Sequence, residues 1–462
     1  MKRFVVCLLF LLALLTTDTL ADDLIRLPIF KHPTAHISKR EDEIPLYNTD
    51  AREYLIEIGL GTPVQKFNFT LDISSPGLWV SSSQCPSTDC LYSRFAEKNS
   101  SSLRQTNSTF SVPYGNGSAK GFIGYDTVTL GNLTSTNHTI GLANTTSGQS
   151  ITSSSTRVSG VLGLGIPGIS GDPTELSFTE QLSFNEVIGK AMFSIYFNRQ
   201  DKHGATGQIV FGGFDYGKYK GPIYSLQVLD YNKQGQPNVG KTYTNITGDK
   251  IYKYWTLPGQ SVVTYASNGT KIHETEFVDV APAILDSATT LSYLPQKDVV
   301  AILETITKDY VPIQQNGGPI QAYQVNCTAF TKQKMYLDFQ LSEAPNAPSG
   351  SPAIIRVPLR ELALPQNGDD LYTATTCIFG LAPISKEFLT PSGTGWILGQ
   401  TVLRSVYTMY DIYYREVIII EAKNNYDIPI PSLSNTNSAS YKHYYAVLVS
   451  VSLIMMGSSS IL

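Results

Sequence analysis

Residues 69–75 read Phe69-Thr70-Leu71-Asp72-Ile73-Ser74-Ser75, and residues 283–289 repeat the pattern as Ala283-Ile284-Leu285-Asp286-Ser287-Ala288-Thr289. Each segment is an apolar, β-favouring run that delivers one aspartate and then small or hydroxyl-bearing residues. An apolar-apolar-glycine triplet follows each copy further along the chain: Val161-Leu162-Gly163 and Ile397-Leu398-Gly399. Two carboxylates brought together share a proton, so that one acts as base while the other acts as acid. The repeat therefore predicts a catalytic pair, Asp72 and Asp286.

The composition indicates a large β-rich protein. The 462 residues suffice for a large core and predict two lobes. Charged residues make up 16% of the chain, against roughly 25% in a typical soluble protein. The 36 Gly, 25 Pro and 27 Tyr indicate short strands joined by tight turns. The net charge of -4, without a Lys/Arg-rich run, gives no support to a nucleic-acid partner.

The N-terminal residues 1–21 resemble a signal peptide. Lys2 and Arg3 precede the apolar stretch Phe4–Leu15, which is too short to span a bilayer, and Thr19-Leu20-Ala21 offers a small-residue cleavage site. The alternative is a buried apolar segment. Lys39-Arg40 then predicts a processing site that releases a propeptide, residues 22–40, unless this pair is ordinary solvated surface.

The C-terminal residues resemble a glycosylphosphatidylinositol (GPI) attachment sequence. A Ser/Pro/Asn-rich linker, residues 428–441, precedes a hydrophobic tail, residues 442–462. The apolar core of the tail, Tyr444–Met456, is short, because a transmembrane helix needs about 20 apolar residues. A true membrane span is the alternative. We therefore expect a secretory-pathway protein that is held at the plasma membrane or cell wall by a GPI lipid.

The cysteines fit a secreted chain. Cys7 leaves with the signal peptide, so four of the five cysteines remain, and four allow three disulfide connectivities. The local pairs Cys85–Cys90 and Cys327–Cys377 are the economical choice. A metal site is the alternative, but no CxxC, HExxH or paired histidines accompany these cysteines, so no metal is expected.

Ten N-x-S/T sequons indicate a glycoprotein. Asn68 lies in a predicted strand that leads into the Asp72 turn, and Asn116 lies in a predicted hairpin turn. The remaining sequons are the expected glycan sites: Asn99, Asn107, Asn132, Asn137, Asn144, Asn245, Asn268 and Asn326.

Hydrophobic periodicity predicts mainly strands. Residues 52–60 alternate, with one apolar face, and a second strand returns towards Asp72. The tight turn after Tyr114 predicts a hairpin between Thr109 and Leu130. Helical spacing is clear only over Gln296–Tyr310, and residues 177–190 predict a second short helix.

These motifs, taken in order, resemble the pepsin-type aspartic endopeptidases over roughly Arg52 to Asn425. The segments that carry the resemblance are Gly59-Leu60-Gly61-Thr62-Pro63, Leu78-Trp79-Val80, Val112-Pro113-Tyr114-Gly115-Asn116-Gly117-Ser118, Gly124-Tyr125-Asp126-Thr127-Val128, Gly160-Val161-Leu162-Gly163-Leu164-Gly165 and Trp396-Ile397-Leu398-Gly399. The two local cysteine pairs also match disulfides of this family. With its dibasic site and GPI-like tail, the chain is most similar to the fungal yapsins and secreted aspartyl proteases.

The resemblance implies an all-β, bilobal pepsin-like fold: two six-stranded, β-barrel-like lobes, residues 41–225 and 226–427, around a central cleft. Asp72 and Asp286 would hold one water at its floor, and Tyr114 on the flap hairpin would close over a bound peptide. Further substrate contacts are implied for Gly115, Gly117, Ser118, Ser75 and Thr289. The implied partners are peptide or protein substrates and pepstatin-like inhibitors. The reaction needs no cofactor, no metal and no covalent intermediate, and a monomer is expected.

The aspartate loops depart from the family pattern, in which each aspartate is followed by Thr or Ser and then Gly. Ser287 keeps the hydroxyl that locks the loops together, but Ile73 has none. Ser74 and Ala288 stand where glycine is usual, so their Cβ atoms are expected to crowd the carboxylates. Gln400 replaces an acid, and a glycan on Asn116 could obstruct the cleft.

Three interpretations follow from this pattern. The first is a working endopeptidase, slowed by these changes. The second is a catalytically impaired relative that uses the cleft as a peptide- or wall-binding module. The third is an unrelated β-rich wall protein, which would make every ordered motif a coincidence.

Overall fold

The computed structural model describes residues 24–31, 54–114, 117–131, 133–147, 158–166, 175–200, 204–231, 237, 252–314, 318–345, 347–368 and 370–423. All of them belong to one compact unit of the chain, Met1–Tyr426. The predicted signal peptide, the Lys39-Arg40 site, the linker and the C-terminal tail lie outside the described residues.

The described residues form mainly strands, as the composition predicts. The strands up to residue 227 are β1 Ile25–Lys31, β2 Tyr54–Leu60, β3 Gln65–Asp72, β4 Leu78–Ser81, β5 Arg104–Tyr114, β6 Gly117–Leu130, β7 Leu133–Ser147, β8 Gly160–Gly163, β9 Met192–Tyr196, β10 Gly204–Phe211 and β11 Tyr219–Gln227. The later strands are β12 Thr256–Tyr265, β13 Lys271–Leu285, β14 Ser292–Leu294, β15 Tyr310–Gln314, β16 Ile320–Asn326, β17 Tyr336–Leu341, β18 Ala353–Pro358, β19 Ala363–Pro365, β20 Thr376–Phe379, β21 Leu381–Pro383, β22 Trp396–Leu398, β23 Val406–Asp411 and β24 Glu416–Ala422.

Helices are short within these ranges: α1 Phe178–Phe184, α2 Gln296–Ile306, α3 Thr328–Lys332 and α4 Gln400–Leu403. Single 3₁₀ turns cover Glu97–Asn99, Tyr216–Lys218, Leu359–Leu362 and Lys386–Phe388. Both predicted helices are confirmed. A capping box between Ser177 and Glu180 starts α1, whereas α2 ends earlier than predicted because Tyr310 begins β15.

One sheet of 13 strands connects both halves of the chain. Its order is β11-β24-β23-β9-β10-β1-β2-β3-β8-β4-β7-β6-β5. A 7-stranded sheet, β18-β17-β12-β13-β22-β14-β21, and a 4-stranded sheet, β15-β16-β20-β19, form the C-terminal part. The lobe boundary predicted at residue 225 falls within β11, which pairs with β24 near the end of the described chain.

The predicted strand face of Tyr54, Ile56, Ile58 and Leu60 is confirmed, since all four side chains are buried in β2. The opposite face is also mostly buried, because only Glu57 of the seven residues is exposed. Strand β2 lies inside the 13-stranded sheet and pairs with β1, β3 and β6. A strand that is covered on both faces buries most of its residues.

Strand β1 comes from the predicted propeptide but lies inside the 13-stranded sheet. It pairs with β10 from Ile25 opposite Phe211 to Lys31 opposite Gly204, and it also pairs with the start of β2. Ile25, Leu27 and Ile29 are buried. Cleavage at Lys39-Arg40 would therefore cut the covalent link between β1 and β2 without itself breaking this pairing.

Trp255 links the two halves of the chain beneath the aspartate loops. It is fully buried, and its Nε1 donates to the carbonyl oxygen of Leu164 at 2.9 Å. Its own carbonyl oxygen accepts from the backbone N–H of Leu285 at 2.9 Å. Trp255 thus holds the segment after Gly163 through its side chain and the segment before Asp286 through its backbone.

Candidate active site

Asp72 is the last residue of β3, which lies beside β8 and β4 in the 13-stranded sheet. β8 runs parallel to β3, with Gly163 opposite Asp72, and antiparallel to β4. A Cβ atom on Gly163 would lie 2.5 Å from the carbonyl oxygen of Gly77, so only glycine allows this approach. The first apolar-apolar-glycine triplet therefore supports the Asp72 loop.

Asp286 follows β13 in a second arrangement of the same kind. β22 runs parallel to β13, with Leu398 opposite Leu285, and pairs antiparallel with β14. A Cβ atom on Gly399 would lie 2.0 Å from the carbonyl oxygen of Leu291. The backbone N–H of Asp286 donates to the carbonyl oxygen of Leu398 at 3.0 Å, which fixes where the loop begins.

Hydroxyl and amide donors of its own loop hold each carboxylate. Asp72 Oδ1 accepts from Ser74 N at 2.7 Å, Ser74 Oγ at 2.8 Å and Ser75 N at 3.2 Å. Asp286 Oδ1 accepts from Ala288 N at 2.9 Å and Thr289 N at 3.1 Å, and its Oδ2 accepts from Thr289 Oγ1 at 2.5 Å. Both carboxylates are therefore oriented before any substrate arrives.

Ser287 joins the two aspartate loops. Its hydroxyl donates to the carbonyl oxygen of Leu71 at 2.8 Å and accepts from the backbone N–H of Ile73 at 3.0 Å. Ile73 is fully buried among apolar side chains and has no hydroxyl with which to return the contact. The structure thus brings Asp72 and Asp286 together through one hydroxyl group.

The two carboxylates perturb each other electrostatically. Burial, and then the charge of Asp72, raise the pKa of Asp286 to about 6 from the usual 3.8. Asp286 is surrounded by protein yet keeps part of its surface accessible to solvent, as expected at the floor of a cleft. The pair therefore keeps one proton in mild acid.

The backbone conformation of both aspartate loops is compatible with the side chains of Ser74 and Ala288. Neither residue has a positive φ, so the backbone of each loop accepts a side chain at these positions. Ser74 instead adds a hydrogen bond to Asp72, and the backbone N–H of Ala288 still reaches Asp286. The loops therefore keep their hydrogen bonds to both carboxylates with Ser74 and Ala288 in place of glycine.

Gln400 supports the second loop from below. It is buried, its Nε2 donates to the carbonyl oxygen of Ser287 at 2.9 Å, and its backbone N–H donates to the carbonyl oxygen of Thr289 at 2.9 Å. Because its side chain is neutral, Gln400 fixes the loop without adding a negative charge beside Asp286.

The flap hairpin is formed by β5 and β6, and it places Tyr114 near the first aspartate. Trp79 Nε1 donates to Tyr114 Oη at 2.6 Å. Burial and the charge of Asp72 raise the pKa of Tyr114, so its phenol stays protonated. Ser75 has a smaller, opposite effect and lowers the pKa of Tyr114. Its hydroxyl is buried and makes no hydrogen bond with any described residue.

The other predicted flap contacts lie at the start of β6. Gly117 and Ser118 pair with Tyr114 and Pro113, and the Ser118 and Ser147 hydroxyl oxygens are 3.2 Å apart. Gly115 and Asn116 are outside the described residues.

Two side chains at this site are not predicted from the sequence. Trp79 is expected there only as part of a flanking motif, yet it holds the Tyr114 phenol. Tyr293 on β14 is partly exposed, and burial together with the charge of Asp286 raises its pKa to about 12. The sequence offered one indication for Tyr293, namely its position in the strand that directly follows the Asp286 loop.

The remaining predicted positions are the disulfide cysteines and the sequon asparagines. Both local disulfides are confirmed, with S–S distances of 2.08 Å for Cys85–Cys90 and 2.03 Å for Cys327–Cys377. Asn68 lies in β3, as predicted, and Asn144 is partly exposed. The exposed sequon asparagines are Asn99, Asn107, Asn137, Asn268 and Asn326, whereas Asn132 and Asn245 lie outside the described residues.

The described part of the chain offers neither a metal site nor a membrane-spanning helix. No group of three or more His, Cys, Asp or Glu residues there is arranged to hold a metal ion. None of the helices in these ranges has the length and apolar character needed to cross a membrane.

Comparison with known proteins agrees with this geometry. The family model described as "Eukaryotic aspartyl protease" matches residues 53–422. The chain is 29% identical over 368 residues to pepsin A of Rhinolophus ferrumequinum, covering 79% of this chain and 80% of that protein. It is 28% identical over 380 residues to pepsin A of Suncus murinus, covering 82% and 83%, and 28% identical over 375 residues to pepsin-3 of Oryctolagus cuniculus, covering 80% and 82%. The chain belongs to the pepsin-type family of eukaryotic aspartyl proteases.

Proposed function

We propose that this chain is an aspartic endopeptidase that acts in mild acid through Asp72 and Asp286. The observation that carries the proposal is the joined pair itself. Ser287 connects the two loops, and burial together with the charge of Asp72 raises the pKa of Asp286. Two coupled carboxylates with one proton can supply a base and an acid to the same reaction.

The environment of the two carboxylates suggests their roles. Asp286 keeps its proton up to about pH 6 and would donate it to the oxygen of the peptide carbonyl. Asp72 would take a proton from the attacking water. Tyr114, whose phenol oxygen accepts from buried Trp79, would cover the bound peptide from the flap side. The water oxygen would form the new bond to carbon. The peptide C–N bond would then break as Asp72 passes the proton taken from water to the leaving amine nitrogen, and Asp286 would regain its proton from a hydroxyl of the intermediate.

The test is cleavage of a peptide library between about pH 3 and 7, with and without pepstatin. We expect activity in acid that falls as the pH rises through about 6, because Asp286 then loses its proton. Pepstatin should abolish the activity. A folded chain that binds pepstatin but cleaves nothing would instead support the alternative of a catalytically impaired, peptide-binding relative.

We also propose secretion and attachment at the cell surface by a GPI lipid, as in the yapsin-like branch. Support comes from the apolar segments near both ends of the sequence and from the linker before the second one. Treatment of intact cells with phosphatidylinositol-specific phospholipase C should release the protein. Protein that stays in the membrane fraction after this treatment would favour a membrane span.

A buried histidine sets a limit on acid stability. His138 on β7 is fully buried, its Nδ1 lies 3.0 Å from Ser135 Oγ, and burial lowers its pKa to about 3 from 6.5. Between these values the unfolded chain binds a proton that the folded chain does not. This group therefore costs stability as the pH falls from 6.5 to 3, by about 4–5 kcal/mol in total.

His138→Asn should remove this acid-dependent loss, since asparagine keeps a polar atom near Ser135 and does not titrate. The free energy of unfolding, measured in urea at neutral and acid pH, should change less with pH in the variant than in the wild type. His273→Asn, at a partly exposed position, is the control and should change the pH dependence much less. Equal pH dependence in wild type and His138→Asn would contradict the assignment.

A further inference from the structure

The two aspartate loops use their hydroxyl groups differently. In each loop the third residue after aspartate carries a hydroxyl, Ser75 in the first and Thr289 in the second. Thr289 Oγ1 donates to Asp286 Oδ2 at 2.5 Å. Ser75 Oγ, in contrast, is buried without a hydrogen-bond partner among the described residues. The hydroxyl that reaches Asp72 belongs to Ser74, one residue earlier.

The two loops also differ in which carboxylate oxygen accepts the hydrogen bonds. All three donors to Asp72, two from Ser74 and one from Ser75, converge on Oδ1. At Asp286 the donors are divided between Oδ1 and Oδ2. An oxygen with three donors is saturated, so Oδ2 of Asp72, which has no donor in the described part of the chain, remains the basic oxygen.

We propose that Ser74 is a positioning residue: its hydroxyl fixes the orientation of the Asp72 carboxylate through Oδ1 and leaves Oδ2 to accept the proton. This inference rests on the proposed function and names the group that orients its base. Hydrogen bonds to an ionised carboxylate favour the ionised form.

The other groups that act on Asp72 stay in place when Ser74 is changed. Asp286 faces it from the second loop, and the protonated phenol of Tyr114 faces it from β5. Neither group is bonded to Ser74. A change in the titration of the pair on substitution of Ser74 would therefore report on the hydroxyl group.

The first experiment compares Ser74→Ala with Ser75→Ala in the pH dependence of kcat/KM. Ser74→Ala should move the acid limb towards higher pH by about one unit, a loss of about tenfold on that limb. Ser75→Ala should move it less. Ser74→Thr, which keeps a hydroxyl, should restore the wild-type limb, and Ser74→Gly should repeat the shift if the alanine variant folds poorly. A larger shift in Ser75→Ala would overturn the proposal.

A second readout does not depend on turnover. The chain labelled with ¹³C at the aspartate carboxyl carbon is titrated by NMR, and Asp72→Asn identifies the resonance of that residue. The lower titration step of the pair should move to higher pH in Ser74→Ala, and an unchanged step would contradict the role of Ser74. If the folded wild type cleaves no peptide, the proposed function fails, but this titration still decides the inference.

Discussion

Asp286→Asn and Asp72→Asn should each lower kcat/KM at mildly acid pH by at least about a thousandfold. The amide introduced by Asp286→Asn has no acidic proton to give to the peptide carbonyl, and the amide introduced by Asp72→Asn offers no base to the water. A single remaining carboxylate would also lack the charged neighbour on which the raised pKa of Asp286 depends. Steady-state cleavage of a peptide from the library is the measurement.

Asparagine is a suitable replacement because the loops already supply donors to one oxygen. In the first loop, all three donors point at Oδ1 of Asp72, and the amide oxygen introduced by Asp72→Asn can take its place. In the second loop, Thr289 Oγ1 can rotate to accept from the amide nitrogen introduced by Asp286→Asn. Both variants should therefore fold, which thermal unfolding would verify.

Asp298→Asn is the matched control for these two variants. Asp298 is a buried acid near the start of α2, and burial raises its pKa, but its charged neighbours are Lys297 and His273. Its substitution should change kcat/KM by no more than a few-fold. Substantial residual activity in either variant of the pair, or an equal loss in Asp298→Asn, would contradict the two-carboxylate mechanism.

The positions of both aspartates could be predicted because the local sequence around each of them has a recognisable pattern. An apolar run that ends in Asp72 indicates a buried strand with a polar end. Gly163 and Gly399 were predictable for a similar reason, since each permits a backbone approach that any Cβ atom would block. The local disulfides, such as Cys85–Cys90, were the economical choice among three connectivities and also match the family.

The direction of the hydroxyl groups could not be predicted, because it depends on loops that meet only in the folded chain. Ser287 is 214 residues from the N–H group that it accepts from. The sequence likewise could not show that the Ser74 backbone accepts a side chain, since φ is a property of the folded loop. The burial of both faces of β2 depends on partners elsewhere, among them β1 from the predicted propeptide.

The connection through Ser287 makes Ser287→Ala the second substitution with a large expected effect. It removes a hydroxyl that joins Leu71 and Ile73 to the second loop and leaves a buried carbonyl and a buried N–H without this partner. Two such losses should lower the free energy of unfolding by about 2–5 kcal/mol. Because Ile73 provides no reciprocal hydroxyl, no second hydroxyl contact of this kind restrains the spacing of the carboxylates among the described residues, and kcat/KM should fall by about ten- to a hundredfold.

Ser292→Ala separates this positional effect from general destabilisation. Ser292 is also fully buried, and its Oγ accepts from the Gly399 N–H at 3.0 Å and lies 2.9 Å from Thr401 Oγ1, all within the C-terminal part. Urea unfolding should show losses of similar size in both variants, while kcat/KM should fall further in Ser287→Ala. Ile73→Thr would add the missing hydroxyl, and in the Ser287→Ala background it should recover part of the activity. If Ser287→Ala and Ser292→Ala lose activity equally, the contact between the loops stabilises the fold but does not set the geometry of the pair.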